Sequence, residues 1–342
     1  MTDLRSGVAR PLVFTVTTLL LVTLLTVPAR AAWPGREGTV VYAGVNPGAK
    51  ATSNVPAGLR SFSFGVPGSR AQLTTDPSDR DPQVSPNGRL VVFSRAVQTV
   101  PDRFTPRIFV VGIDGSGLRQ LTDGGSAEAD SQPTFDASGT RVFFVRINSE
   151  EPGQGRDIYS IGLDGSGLTR VTSGPADDNY PAASPSGRQI AFVRVNYPPG
   201  IPQGSAPHIY SVRPNGSRLR DLTPRLPTAD PWDLDFSPSG RVIAFATEGN
   251  QLRGDIFTLR SNGGPIRRLT NRGHGKRIFP RPYGYTNPAF SPTGDSLLAV
   301  ARSGTSPRLA RIRLADPDHP RILALSLSGS APVWAPLARS LR

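Results

Sequence analysis

The chain has 342 residues, with 39 basic against 26 acidic side chains for a formal charge of +13, 36 glycines, 35 prolines and no cysteine. The absence of cysteine excludes disulfides and a lipid-acylated amino terminus, which needs a Cys at its cleavage site. The positive charge is nearly all arginine, Lys50 and Lys276 being the only lysines, and its scatter along the chain argues against a dedicated nucleic-acid stripe.

Residues 1–31 read as a signal peptide. Arg5 and Arg10 form a basic start, Leu12 to Val27 an apolar run, and Ala29-Arg30-Ala31 supplies the small residues of a cleavage site. The run is shorter than the roughly 20 residues of a spanning helix; left uncleaved, it would act as an anchor. The reading implies an exported protein, extracellular, periplasmic or associated with the cell envelope. The mature part, 32–342, retains a charge of +11.

From there a motif recurs: Pro-x-apolar-Ser-Pro-x-Gly, then a short apolar strand. Its copies run from Pro82 to Gly88, Pro133 to Gly139, Pro181 to Gly187, Leu234 to Gly240 and Pro288 to Gly294, with 51, 48, 53 and 54 residues between successive glycines. Repeats of that length build stacked or radial supersecondary units. Between copies lies an alternating strand, a tight turn and a short strand ending in Leu-Thr or Val-Thr. The turns Asp114-Gly115, Asp164-Gly165, Asn215-Gly216 and Asn262-Gly263 are hairpin signals, because Gly and Asx reach positive φ cheaply. Four strands per unit, A to D, make a propeller blade.

The ends complete a sixth blade. Gly38 to Tyr42, Ser61 to Phe64 and Ala71 to Thr74 read as strands B, C and D without an A, and Pro332 to Pro336 reads as an A without partners. Their pairing would close the ring and leave no open sheet edge. The expected fold is an all-β, six-bladed propeller occupying 32–342 as one monomeric domain. The periodic Phe and Ile residues should fill the space between blades, each contributing about 1.5–3 kcal/mol through burial.

Over about residues 38 to 341 these motifs resemble the propeller repeats of the TolB family, whose consensus approaches Pro-x-Trp-Ser-Pro-Asp-Gly. Here the motif Asp is replaced by Asn87, Ser138, Ser186, Ser239 and Thr293, and the N-terminal α/β domain of TolB has no counterpart before the repeats. The resemblance implies a fold, and only weakly a function.

Strand parity places the short A–B and C–D turns on one face and the longer B–C and D–A connections on the other, where function is expected. Among the D–A segments, Asp79, Asp130 and Asp178 stand nine residues before the motif glycine, and Asp81 and Asp233 seven before it. With Tyr180, Trp232, Tyr285 and Asn287 they form a candidate ligand-binding channel mouth, acidic in a basic chain and suited to a cationic peptide, a metal ion or a sugar. The same carboxylates could instead serve as turn acceptors. A second candidate, for an anionic partner, is the cluster Arg267, Arg268, Lys276 and Arg277.

Catalytic motifs are not found. His208, His274 and His319 fall in separate blades outside any ligand pattern, and there is no Gly-x-Ser-x-Gly elbow, EF-hand loop or phosphate-binding loop. No cofactor and no metal is expected. The reading favours a binding or scaffold module for an envelope or secreted protein or peptide. The alternative is a carbohydrate- or cell-wall-polymer-binding protein whose mouth carboxylates carry hydrolase or lyase chemistry.

Overall fold

The computed structural model describes residues 37–45, 56–64, 66–125, 127–148, 155–197, 205–225, 230–248, 254–270, 284–302, 307–326 and 332–336. The proposed signal segment lies outside them. Among the described residues there are twenty-four strands and no helix, in six four-stranded antiparallel sheets.

The chain passes first through the closing blade, whose strands are β1 (Glu37–Val45), β2 (Pro56–Ser63) and β3 (Ala71–Gln72). Blade one is β4 (Arg80–Val84), β5 (Leu90–Val100), β6 (Arg103–Gly112) and β7 (Arg119–Gln120). Blade two is β8 (Glu128–Phe135), β9 (Arg141–Asn148), β10 (Asp157–Gly162) and β11 (Thr169–Arg170). Blade three is β12 (Asp177–Ala183), β13 (Ile190–Val195), β14 (His208–Val212) and β15 (Arg220–Asp221). Blade four is β16 (Asp230–Phe236), β17 (Val242–Glu248), β18 (Asp255–Arg260) and β19 (Arg267–Arg268). Blade five is β20 (Gly284–Phe290), β21 (Ser296–Arg302), β22 (Arg308–Arg313) and β23 (Asp316–Ser326). The last strand, β24 (Val333–Pro336), pairs with β1 to finish the closing blade in the order β24-β1-β2-β3. The inner strands β4, β8, β12, β16, β20 and β24 contact one another in sequence around a closed ring.

The repeat residues acquire specific duties. In each Thr of the Leu-Thr pattern the hydroxyl accepts a backbone N–H of strand C: Thr74 from Leu59, Thr122 from Ile108, Thr172 from Ile158, Thr223 from Ile209 and Thr270 from Ile256, all at 2.8–3.0 Å. This clip holds a strand D that is only two residues long in five of the blades. The motif Phe inside strand B stacks across the sheet on an aromatic of strand C, as in Phe93–Phe109, Phe144–Tyr159, Phe192–Tyr210 and Phe245–Phe257, with ring centroids 5.8–6.2 Å apart. Between blades, Val, Ile and Phe form the buried clusters that fill the ring.

One connection differs from expectation. Arg95 to Arg107 reads as a B–C loop in the sequence, but β5 and β6 stay paired from Arg95↔Arg107 out to Val100↔Arg103, a hairpin standing beyond the blade. The β-prone run Ala96 to Val100 continues the ladder because nothing breaks it before the Pro101-Asp102 turn. Arg107, at the base of that hairpin, is 1% exposed. Its guanidinium donates to the carbonyls of Pro106, Gly124, Gly125 and Glu128, so backbone dipoles satisfy the buried cation.

Closure rests on β24. Trp334 is 3% exposed, stacks on Phe64 at 4.9 Å and lies beneath the Arg311 guanidinium. Trp334→Ala should therefore cost about 3–5 kcal/mol in denaturant unfolding, with the loss concentrated at the junction of the two chain ends.

Candidate functional site

The inner strands share a local irregularity that builds the channel. In β4, β8, β12, β16 and β20 the pairing with the next strand slips in the middle, between Arg80/Gln83, Ser131/Thr134, Asn179/Ala182, Trp232/Asp235 and Thr286/Ala289. At each slip one non-glycine residue takes positive φ: Asp81 (52°), Gln132 (53°), Tyr180 (54°), Asp233 (51°) and Asn287 (53°). All five stand seven residues before the motif glycine. A bulge of this kind re-aims a side chain, and here it brings all five to one cavity on the propeller axis.

That cavity, about 80 Å³, is lined by Asp81, Gln83, Gln132, Tyr180, Asp233, Asp235 and Asn287, with Pro133, Pro181, Pro288 and Pro332 among its apolar walls. The side chains also tie neighbouring inner strands together. Gln132 Oε1 accepts the Tyr180 N–H at 2.6 Å, Asn287 Nδ2 donates to Asp233 Oδ2 at 2.7 Å, and Asp235 Oδ2 accepts the Phe290 N–H at 2.7 Å. Burial pushes the Asp235 carboxyl up to about 7, against the two backbone N–H groups that favour its ionised form. Burial likewise raises Asp81, whose hydrogen bond to Ser94 pulls the other way.

Of the residues expected at the channel, the structure brings together Asp81, Tyr180, Asp233 and Asn287. Asp79, Asp130 and Asp178 lie elsewhere. Each is at most 2% exposed and is held in a two-pronged pair by the arginine sixteen residues later: Arg95, Arg146 and Arg194, with N···O distances of 2.6–2.9 Å. These arginines lie over the aromatic pairs of their own blades. Burial pushes the Asp79 and Asp178 carboxyls up, opposed by the guanidinium hydrogen bonds, and Asp79 in turn holds Arg95 more firmly protonated. Blades four and five fill the same paired positions with Pro231 and Thr247, and with Tyr285 and Ala301. Tyr285 accordingly packs in the apolar layer containing Ile256 and Phe290, where burial raises its hydroxyl to about 12. Trp232 is half-buried beside the slip and does not line the cavity.

Gln83, Gln132 and Asp235 are channel residues that the sequence reading did not single out. Gln132 stands directly before Pro133, as Asp81 stands before Pro82, whereas Gln83 and Asp235 stand five residues before the motif glycines Gly88 and Gly240, at the x of the Pro-x-apolar motif that periodicity alone does not direct to the channel. In the second candidate cluster, Arg268 pairs with Asp255 at 2.5 Å, Arg267 is exposed, and Lys276 and Arg277 lie outside the described residues. Among the described residues no group of three His, Cys, Asp or Glu side chains is placed to hold a metal.

No protein-family model and no curated protein sequence matches the chain. Solved structures do. TolB from Acinetobacter baumannii aligns with a TM-score of 0.63 at 17% identity, over 87% of this chain and 67% of that one. The fold is that of a TolB-like propeller. A chain of the nidogen/laminin complex aligns with a TM-score of 0.57 at 14% identity, over 87% of this chain and 98% of its own. An oligogalacturonate lyase in complex with manganese aligns at 0.52 and 10% identity, over 78% and 70%. At such identities the TolB-like likeness is one of architecture.

Two stability outcomes follow. Asp130→Ala removes the two-pronged partner of the buried Arg146 guanidinium, leaving it Glu128 at 3.2 Å, and should cost about 3 kcal/mol, whereas Asp130→Leu with Arg146→Leu should recover most of that loss; denaturant melts of both variants decide it. For Asp235, the folded carboxyl retains its proton to about 7 while the unfolded value is 3.8, so stability falls as pH rises between the two. Asp235→Asn should therefore melt higher than the parent at pH 8, and the advantage should shrink as pH falls towards 4.

Proposed function

We propose that this chain is an exported, non-enzymatic binding module that captures a protein or peptide partner by taking one cationic side chain or amino terminus into the axial channel. The observation carrying this reading is the channel lining. Three carboxylates and three carboxamides line it, from Asp81, Asp233, Asp235, Gln83, Gln132 and Asn287, and no Arg, Lys or His joins them in a chain with 39 basic residues. Its volume of about 80 Å³ suits the end of a single side chain. A desolvated cation there meets charge and hydrogen-bond acceptors together, and such a contact governs dissociation. The proposed export rests on the amino-terminal segment 1–31.

The acidic lining also bears on the carbohydrate reading, since a uronate-like anion would be repelled by the same carboxylates. A neutral sugar stacked on Tyr180 is the form of that reading which the geometry tolerates.

Fluorescence anisotropy against peptides ending in Lys or Arg tests the proposal. Asp81→Asn with Asp233→Asn should weaken binding by about 30-fold or more. Binding should also strengthen from pH 6 to pH 8 as Asp235 ionises. Equal affinity in parent and variant, or a preference for neutral oligosaccharides over cationic peptides, would overturn it.

A further inference from the structure

The face opposite the long connections has its own chemistry. The A–B and C–D turns meet there across blade boundaries, as the Gln189 amide donating to the Ser261 carbonyl and Arg119 donating to the Leu163 carbonyl illustrate. In blades one and two the C–D turn is built on an acid: Asp114 and Asp164 each accept the N–H and hydroxyl of the serine two residues on. In blade three Asn215 makes the same two bonds to Ser217 without the charge. Blade four again has an Asn, Asn262, at this turn, and no acid occurs between Asp178 and Asp221 or between Asp255 and Asp295.

Arginines crowd the same place. Arg188, Arg213, Arg218 and Arg220 line a groove of about 260 Å³ between blades three and four, with Arg241 and Arg260 in the adjoining turns. All six are exposed, and among the described residues none has an acidic partner. Arg218 is held at φ 59°, at the position that blades one and two give to Gly117 and Gly167 at 65° and 63°. A side chain with a long cationic stem thus occupies a site where glycine is the unstrained choice.

Apolar anchors complete the face. Leu118, Leu168 and Leu219 occupy the same turn position in three consecutive blades and are 45%, 46% and 49% exposed. The chain also enters the propeller here, because Glu37 of β1 pairs with Pro336 at the end of β24, on the A–B side. Were residues 1–31 retained as an anchor, the ten residue steps from Val27, the end of the apolar run, to Glu37 would reach at most about 36 Å.

We infer that the A–B/C–D face is a membrane-docking surface that seats on an anionic bilayer, the blade-three and blade-four arginines holding lipid phosphates and the three turn leucines entering the headgroup layer. Guanidinium groups pair with phosphate in a two-pronged fashion, and leucines rimmed by arginines match the interfacial pattern of shallow insertion. Docked this way, the propeller turns its other face, with the hairpin β5–β6, toward the aqueous phase. The inference is independent of what the axial channel binds.

The lack of native cysteine allows site-specific labelling of the full chain. Bimane on Leu168→Cys and on Phe104→Cys, the latter exposed on the β5–β6 hairpin of the opposite face, is read on phosphatidylglycerol and phosphatidylcholine vesicles carrying a lipid quencher. The expected result is quenching at position 168 on phosphatidylglycerol alone and none at 104. Arg213→Gln with Arg218→Gln and Arg220→Gln should reduce the docked fraction about 100-fold, and Arg218→Gly about fivefold without lowering the melting temperature. Equal quenching on both lipids, quenching at 104, or indifference to the arginine changes would overturn the inference. So would saturable, arginine-dependent binding of soluble polyphosphate with no quenching at 168, which would make the groove a site for free polyanions.

Discussion

The molecule depends on a kink repeated in its innermost strands. Strand A must run close to the axis and still pair outward with strand B, and in β4, β8, β12, β16 and β20 it does so by slipping register around one left-handed residue. The strain is small at any one position, but it recurs in five blades, at Asp81, Gln132, Tyr180, Asp233 and Asn287. The same distortion that lets these five sheets converge on the axis turns polar side chains into the channel. Architecture and candidate site are therefore not separable here: to straighten the strands would also remove the site.

Around this axis, charge is sorted by location. Acids at the channel are shielded and only partly paired, with Asp235 at the boundary between ionised and neutral near pH 7. Acids one step outward, Asp79, Asp130 and Asp178, are consumed by arginines lying on the blade aromatics, an arrangement that stiffens the D–A corner. Among the described residues, six exposed arginines without an acidic partner gather at the turns of blades three and four. A formal charge of +13 describes none of this, because it averages an acidic axis with a basic rim.

Much of the architecture could be read in advance because its signals are local. The Ser-Pro-x-Gly and Asx-Gly turns, the alternating strands and the split terminal blade each specify backbone conformation within a few residues, and six blades follow from counting them. The Leu-Thr pattern was visible as a repeat, but its purpose, a hydroxyl clipping strand D to strand C, depends on a partner fourteen or fifteen residues away. The candidate site was half legible. Residues seven before the glycine face the channel and those nine before it do not, and that distinction depends on a register slip which strict two-residue alternation cannot foresee.

The sequence by itself determined the all-β class, the repeat length, the turn positions and the closure of the ring, since each follows from short-range preferences for φ, for alternation and for turn residues. Only the tertiary structure decided which carboxylates are paired, which arginines are free and which polar side chains share one cavity. Those outcomes depend on distances between residues 16 to about 200 positions apart, and only the folded ring sets such distances.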